Sequence, residues 1–186
     1  MKKYFIFLPL LIIYLLIILL AYHGNIRDDE GRYVMFAKNL AQGFYSPKCE
    51  VNLWNGPGYP LVLVPFVMMK LNFLAARILN AFFLFFAVIY FYITLKMYLN
   101  PKYALYTSYL FGLYPVVLRD LHTLLTETFI YLLICGFIYH FCKLMRQEGN
   151  VKYHFIISSF FLGFLASTKI IFGYVILTVG ALSLII

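Results

Sequence analysis

The sequence predicts an all-α polytopic membrane protein, a helical bundle of about six transmembrane helices with two juxtamembrane helices in its first outer loop. Three observations carry that expectation. Of 186 residues, 64% are hydrophobic, 20% aromatic and only 12% charged, a balance outside the range of water-soluble domains. The apolar residues fall into long runs separated by short polar links. The cations are scattered through those links rather than gathered on one face or arm, so the net charge of +8 points to membrane orientation and not to nucleic acid.

The first run, Tyr4 to Tyr22, follows Lys2 and Lys3. It is longer than the apolar region of a signal peptide, and its end, LLAYHG, offers no small-x-small cleavage site. It reads as an uncleaved first transmembrane helix with a cytoplasmic N-terminus. Beyond it, Tyr33, Phe36, Ala37 and Leu40 recur at helical spacing, predicting an amphipathic surface helix that Gly43 ends. Asp28, Asp29 and Glu30 occupy the cap and first turn of that helix, where its dipole favours carboxylates.

The next run, Gly58 to Leu71, is about fourteen residues long and would reach only ~21 Å of a ~30 Å hydrocarbon core. Pro60 and Pro65 also interrupt it, so a helix along the membrane surface is expected. Five further crossings follow: Ala75 to Leu99, Tyr103 to Leu118, Leu121 to Phe141, Tyr153 to Ala166 and Ile171 to Ile186. With Gly58 to Leu71 left outside, Lys96, Lys102, Lys143, Arg146 and Lys152 share the cytoplasmic side with the N-terminus. Asp28, Asp29, Glu30, Glu50, Asp120 and Glu127 then lie on or near the outer face, and Glu148 is the one cytoplasmic acid. Cys49, Cys135 and Cys142 form no CxxC pair, so neither a disulfide framework nor a zinc site is supported.

Acids are scarce in this chain, and their grouping matters. In LRDLHTLLTETFIYLL, Glu127 lies about two turns into an apolar run, and a carboxylate near a bilayer centre costs roughly 2.5–3.5 kcal/mol. Such a residue faces a cavity or a partner.

These stretches, DEGRYVMFAKNLAQG, NGPGYPLVLVPF, the long segment ending LRDLHTLLTETF, and GFLASTK, together resemble the N-terminal module of the C-type glycosyltransferases. The nearest relatives by this resemblance are the bacterial aminoarabinose transferases and the protein O-mannosyltransferase-like group. It covers nearly the whole chain in consistent order. The resemblance implies an integral protein of the bacterial inner membrane that moves a sugar from a polyprenyl-phosphate-linked donor, at the outer face, to a glycolipid, polysaccharide or protein acceptor. It places Asp29 at the essential acid, with Glu30 beside it, Asp28 as a further candidate and Glu127 as the second acidic position.

A carboxylate suits that reaction. Displacing a polyprenyl phosphate builds positive charge at the anomeric carbon, while a hydroxyl acceptor must lose a proton. Asp29 is expected to serve as base or to orient the acceptor, with inversion. Substrate contacts are expected from Arg119, Lys169 and Asp120, with His122, Tyr33 and Tyr59; Arg offers bidentate contacts to phosphate and Lys a point charge. Arg77 is expected to be at least as much an interfacial, snorkelling residue as a ligand. Asn55 and Gly56 stand where the aminoarabinose transferases carry an acid and a lysine, so no metal is expected, although His122 with Asp120 and Glu127 could bridge a divalent cation to phosphate. Family members continue through more helices, and the chain is expected to be a truncated N-terminal module. The competing reading is a non-enzymatic polytopic protein, transporter-like or an accessory subunit, in which intramembrane carboxylates serve passage and the outer-loop acids are dispensable.

Overall fold

The computed structural model describes residues 2–22, 24, 26, 28–46 and 55–183. Among these the chain is all-helical. A 3₁₀ segment at Lys2–Phe7 leads into α1 (Leu8–Ala21), followed by α2 (Asp28–Ala41), α3 (Gly58–Met68) and α4 (Phe73–Leu95). Then come α5 (Pro101–Gly112), α6 (Pro115–Arg119), α7 (Glu127–Met145), α8 (Val151–Thr168) and α9 (Ile170–Ser183).

Among the described residues, four segments are long and apolar enough to cross a membrane: Tyr4–Ala21, Phe73–Leu95, Glu127–Met145 and Val151–Thr168. That is fewer than the six crossings expected. The run Tyr103 to Leu118 is broken, because Pro115 has no N–H to continue α5 and holds Tyr114 extended, with ψ 124°. Helix α5 therefore has 12 residues and α6 only 5, while α9 has 14 among the described residues. The four spans make the chain compatible with an integral membrane protein, and their outer surfaces agree: Leu20 is 83% exposed and Ile156 62%, as lipid-facing side chains are.

Packing fixes which helix ends lie together. The Tyr22 hydroxyl donates to Asn72 Oδ1 at 2.8 Å, and that oxygen also caps α4 by accepting from Leu74 N at 2.9 Å, so α1 ends where α4 begins. At the opposite end Phe7 packs on Tyr92 and Tyr109, and Arg146, just past α7, donates to Met97 O at 3.0 Å beyond α4. Helices α4 and α7 thus run parallel, and α5–α6 return the chain between them.

Both ends of α3 stay at the α4-start end: Gly58 lies against Thr168, and α3 leads directly to Asn72. The helix does not traverse the bundle, as its length and prolines predict. The acids separate accordingly, although Arg32, Arg77, Arg119 and Lys169 pair with them at the same end. Asp29, Glu30, Asp120 and Glu127 lie at this acidic end, whereas Lys96, Lys102, Lys143, Arg146, Glu148 and Lys152 lie at the basic end.

In lipid, helices gain little from apolar burial and pack through close approach and satisfied polar groups. Ala81, Ala87, Ala104 and Gly112 serve that need. The buried Tyr14 hydroxyl donates to Gly112 O at 2.9 Å, and a Cβ on Gly112 would come within 2.6 Å of that hydroxyl. Gly136 likewise seats the Phe161 ring of α8.

Candidate active site

The acidic end is built by α2, the 55–58 turn, the 119–127 segment and the α8–α9 junction. Helix α2 buries Tyr33, Val34, Phe36 and Ala37, one face of the expected amphipathic helix, and Gly43 ends it with φ 88°. Asp29 lies on the open face. Its carboxylate pairs with Arg32 at 2.9 Å, one turn on, and its side chain is 62% exposed. The Asp28 side chain and all of Cys49 and Glu50 lie outside the described residues.

Glu30, expected beside Asp29 in the site, turns the other way. It is buried, its two oxygens lie 3.1 and 3.2 Å from Arg77 Nη2, and Oε1 accepts from Leu124 N at 2.6 Å. The Arg77 guanidinium lies over the Tyr22 ring at 5.2 Å from its centroid. Arg77 is therefore not snorkelling to headgroups. It is 4% exposed and, with Glu30, ties α2, α4 and the approach to α7 together.

The same bond explains where α7 begins. Asn80 donates to the carbonyls of Thr123 at 2.6 Å and Leu121 at 3.3 Å, while Glu30 takes the Leu124 N–H. Residues 121–126 are thereby held out of the helix, although their apolar character predicts helix from Leu121. Glu127 is the first residue of α7, not a carboxylate two turns inside the membrane. There the dipole favours its charge, and the cost expected of a mid-membrane acid falls away.

Glu127 Oε1 meets Lys169 Nζ at 3.1 Å, with the two side chains 32% and 42% exposed. Lys169 is extended, with φ −132° and ψ 120°, between α8 and α9, which aims it back at the start of α7. Tyr33 lies within electrostatic reach of Glu127 in this pair and of both members of the Asp29–Arg32 pair. Its hydroxyl donates to Asn55 Oδ1 at 3.4 Å and faces Thr126. Burial, first, and then Glu127 and Asp29 raise its pKa, against the lowering by Thr126 and Arg32.

Arg119 and Asp120 form a bidentate pair, with both contacts at 3.0 Å. Arg119 is held protonated chiefly by Asp120, with Glu127 close enough to add to the effect. His122 is half-buried in the next turn and takes part in no ion pair or hydrogen bond among the described residues. Tyr59, expected to touch substrate, is 1% exposed beneath Tyr33, with ring centroids 5.5 Å apart. Its hydroxyl faces the Asn80 amide without a hydrogen bond, and burial raises its pKa. No three His, Cys, Asp or Glu side chains converge on a metal position among the described residues.

Two features of the site escape sequence reasoning. One is Arg32, whose i, i+3 spacing to Asp29 is the available signal. The other is the meeting of the PGYP turn with STK: a Cβ on Gly56 would overlap the Ser167 carbonyl, and one on Gly58 would come within 2.8 Å of Thr168 N. Quoted separately, these stretches are far apart in sequence; folded, they are one wall. Comparison of the chain with models of known protein families, with curated proteins and with solved structures finds no match.

Proposed function

We propose that this chain is a membrane glycosyltransferase module that moves a sugar from a polyprenyl-phosphate-linked donor to an acceptor hydroxyl or phosphate. One observation carries the reading: two solvent-accessible ion pairs, Asp29–Arg32 and Glu127–Lys169, lie within electrostatic reach of Tyr33, with Arg119–Asp120 within reach of Glu127. An exposed carboxylate with a cation one turn away is free to exchange partners. Cations with partly open side chains can take a phosphate on arrival.

In this mechanism the bond from the anomeric carbon to the phosphate oxygen breaks as the acceptor oxygen bonds to the opposite face. The hydroxyl proton passes to Asp29. Lys169 and Arg119 hold the departing polyprenyl phosphate, and Glu127 keeps Lys169 in place until the donor binds. With a phosphate acceptor no proton moves, and Asp29 orients the nucleophile. Glu30 has a supporting part here, through Arg77. The reading takes the acidic end as the outer face of a bacterial inner membrane, with the basic end cytoplasmic as the positive-inside tendency prefers. It takes α5–α6 as one broken crossing and α9 as another. No cofactor enters the scheme.

The test is sugar transfer in membranes from a panel of polyprenyl-phosphate sugars, using the longest natural form of the protein with Asp29→Asn and Glu127→Gln. A loss of at least a hundredfold with Asp29→Asn is expected for a hydroxyl acceptor. Transfer at the unmutated rate by Asp29→Asn would remove it from the chemistry. No transfer by the unmutated protein with any donor would favour the non-enzymatic membrane protein.

A further inference from the structure

A second polar feature lies near the basic end, between α7 and α8. His140 is about four turns into α7 and His154 about one turn into α8. Both are buried, and their Nδ1 atoms stand 2.9 Å apart. The ring centroids are 5.0 Å apart, little less than that gap plus two ring radii, the greatest separation such a contact allows, so the nitrogens point nearly at each other along one line. Two ligands of one metal ion would converge on a point off that line. The arrangement is an N–H···N hydrogen bond.

Such a bond needs one proton at the junction. One ring carries Nδ1–H and donates; the other accepts at Nδ1 and carries its hydrogen at Nε2. Facing the pair are Tyr90 from α4, Tyr139 from α7, and Tyr153 and Phe161 from α8, all uncharged at neutral pH. Gly149, in the connecting turn with φ 77°, lies beside the Nε2 edge of His154. The nearest charged neighbours in sequence, Lys143 and Lys152, are cations. Glu148, in the same turn, is already held by Lys143 at 2.5 Å and Arg146 at 2.8 Å. Among the described residues, no carboxylate stands ready to receive a second imidazolium.

We infer that His140 and His154 form a one-proton clamp between α7 and α8 that opens when both rings are charged. A first added proton leaves the bond intact, since a charged ring still donates to a neutral one. A second leaves two donors face to face, with no acceptor and like charges in a buried, aromatic setting. Acidification at the basic end therefore parts the two helices there, and their connecting turn follows. The clamp stands independently of the reaction proposed above.

Two measurements on the full chain in lipid nanodiscs test it. Nitrogen NMR of labelled histidines, assigned with His140→Phe and His154→Phe, is expected to show one Nδ1–H and one Nε2–H ring at neutral pH. The same tautomer at both positions would overturn the clamp. Thermal unfolding between about pH 7.5 and about pH 5 gives the second readout, because the unfolded chain binds protons that the folded pair refuses, so stability falls with pH. The double variant His140→Phe/His154→Phe extends the aromatic cluster and is expected to lose more than half of that fall. An undiminished fall would refute the inference, and if the double variant does not fold the tautomer result decides.

Discussion

Glu30→Gln separates charge from shape at the joint of α2, α4 and α7. The amide keeps one oxygen, which in the place of Oε1 can accept from both the Leu124 N–H and an Arg77 N–H, and it removes the negative charge by putting an NH2 where Oε2 stood. Because the Arg77 and Glu30 side chains are 4% and 6% exposed, the guanidinium is left in a site that water does not reach. Removing one partner of such a pair costs about 3–5 kcal/mol, and the retained hydrogen bonds put this variant near the lower end, about 3 kcal/mol. Glu30→Gln/Arg77→Met removes both charges while keeping an acceptor for Leu124. It forfeits the contact of Arg77 over Tyr22, about 1 kcal/mol, and is expected to recover at least half of the loss. Cys135 is 8% exposed, so a thiol-reactive dye in detergent reports its release on unfolding. A single-variant loss below about 1 kcal/mol, or a double variant no more stable than the single one, would refute the assignment of Glu30 as a buried structural charge.

Gly58→Ala places a methyl within 2.8 Å of Thr168 N and 2.9 Å of Thr168 Cα, backbone that cannot turn aside, and should cost about 1–3 kcal/mol in the same unfolding assay. Lys169→Ala removes a half-exposed pair, so stability should change by less than about 1 kcal/mol while transfer from a polyprenyl-phosphate sugar falls at least tenfold; equal, small changes in both would detach Lys169 from phosphate. Tyr45, whose hydroxyl donates to Asn55 O, is pushed up by burial to about 12 from an ordinary 10.0. Its neutral form stabilises the fold fully below about pH 10, and that contribution is lost as pH rises through about 12. Unfolding scans across that window should show a smaller alkaline loss in Tyr45→Phe.

Periodicity makes α2 legible in the sequence, because a surface helix must alternate its faces; Tyr33, Phe36 and Ala37 are buried as spaced. Length and proline content likewise identify α3 as a helix that does not cross. What adjoining residues do not reveal is direction. Asp29 and Glu30 are equal in composition, yet one faces water and the other Arg77, a partner 47 residues away that no local pattern announces. The start of α7 is obscured for a similar reason: Leu121, Leu124 and Leu125 read as helix, but the side chains of Asn80 and Glu30 take the backbone groups a helix would use. Pro115 is a visible break whose effect on span length is readable from proline chemistry. His140 and His154 carry no spacing signal, since their relation exists only across two packed helices.

The seating of Gly56 and Gly58 on Ser167 and Thr168 also orders events during synthesis. The turn that presents α3 leaves the ribosome early, but the backbone it rests on is made only when α8 is complete. Until then α2 and α3 have each other, α4 and the segment before α7, but not the wall that Ser167 and Thr168 supply. The acidic end can therefore be complete only after the last turn of α8 has been made.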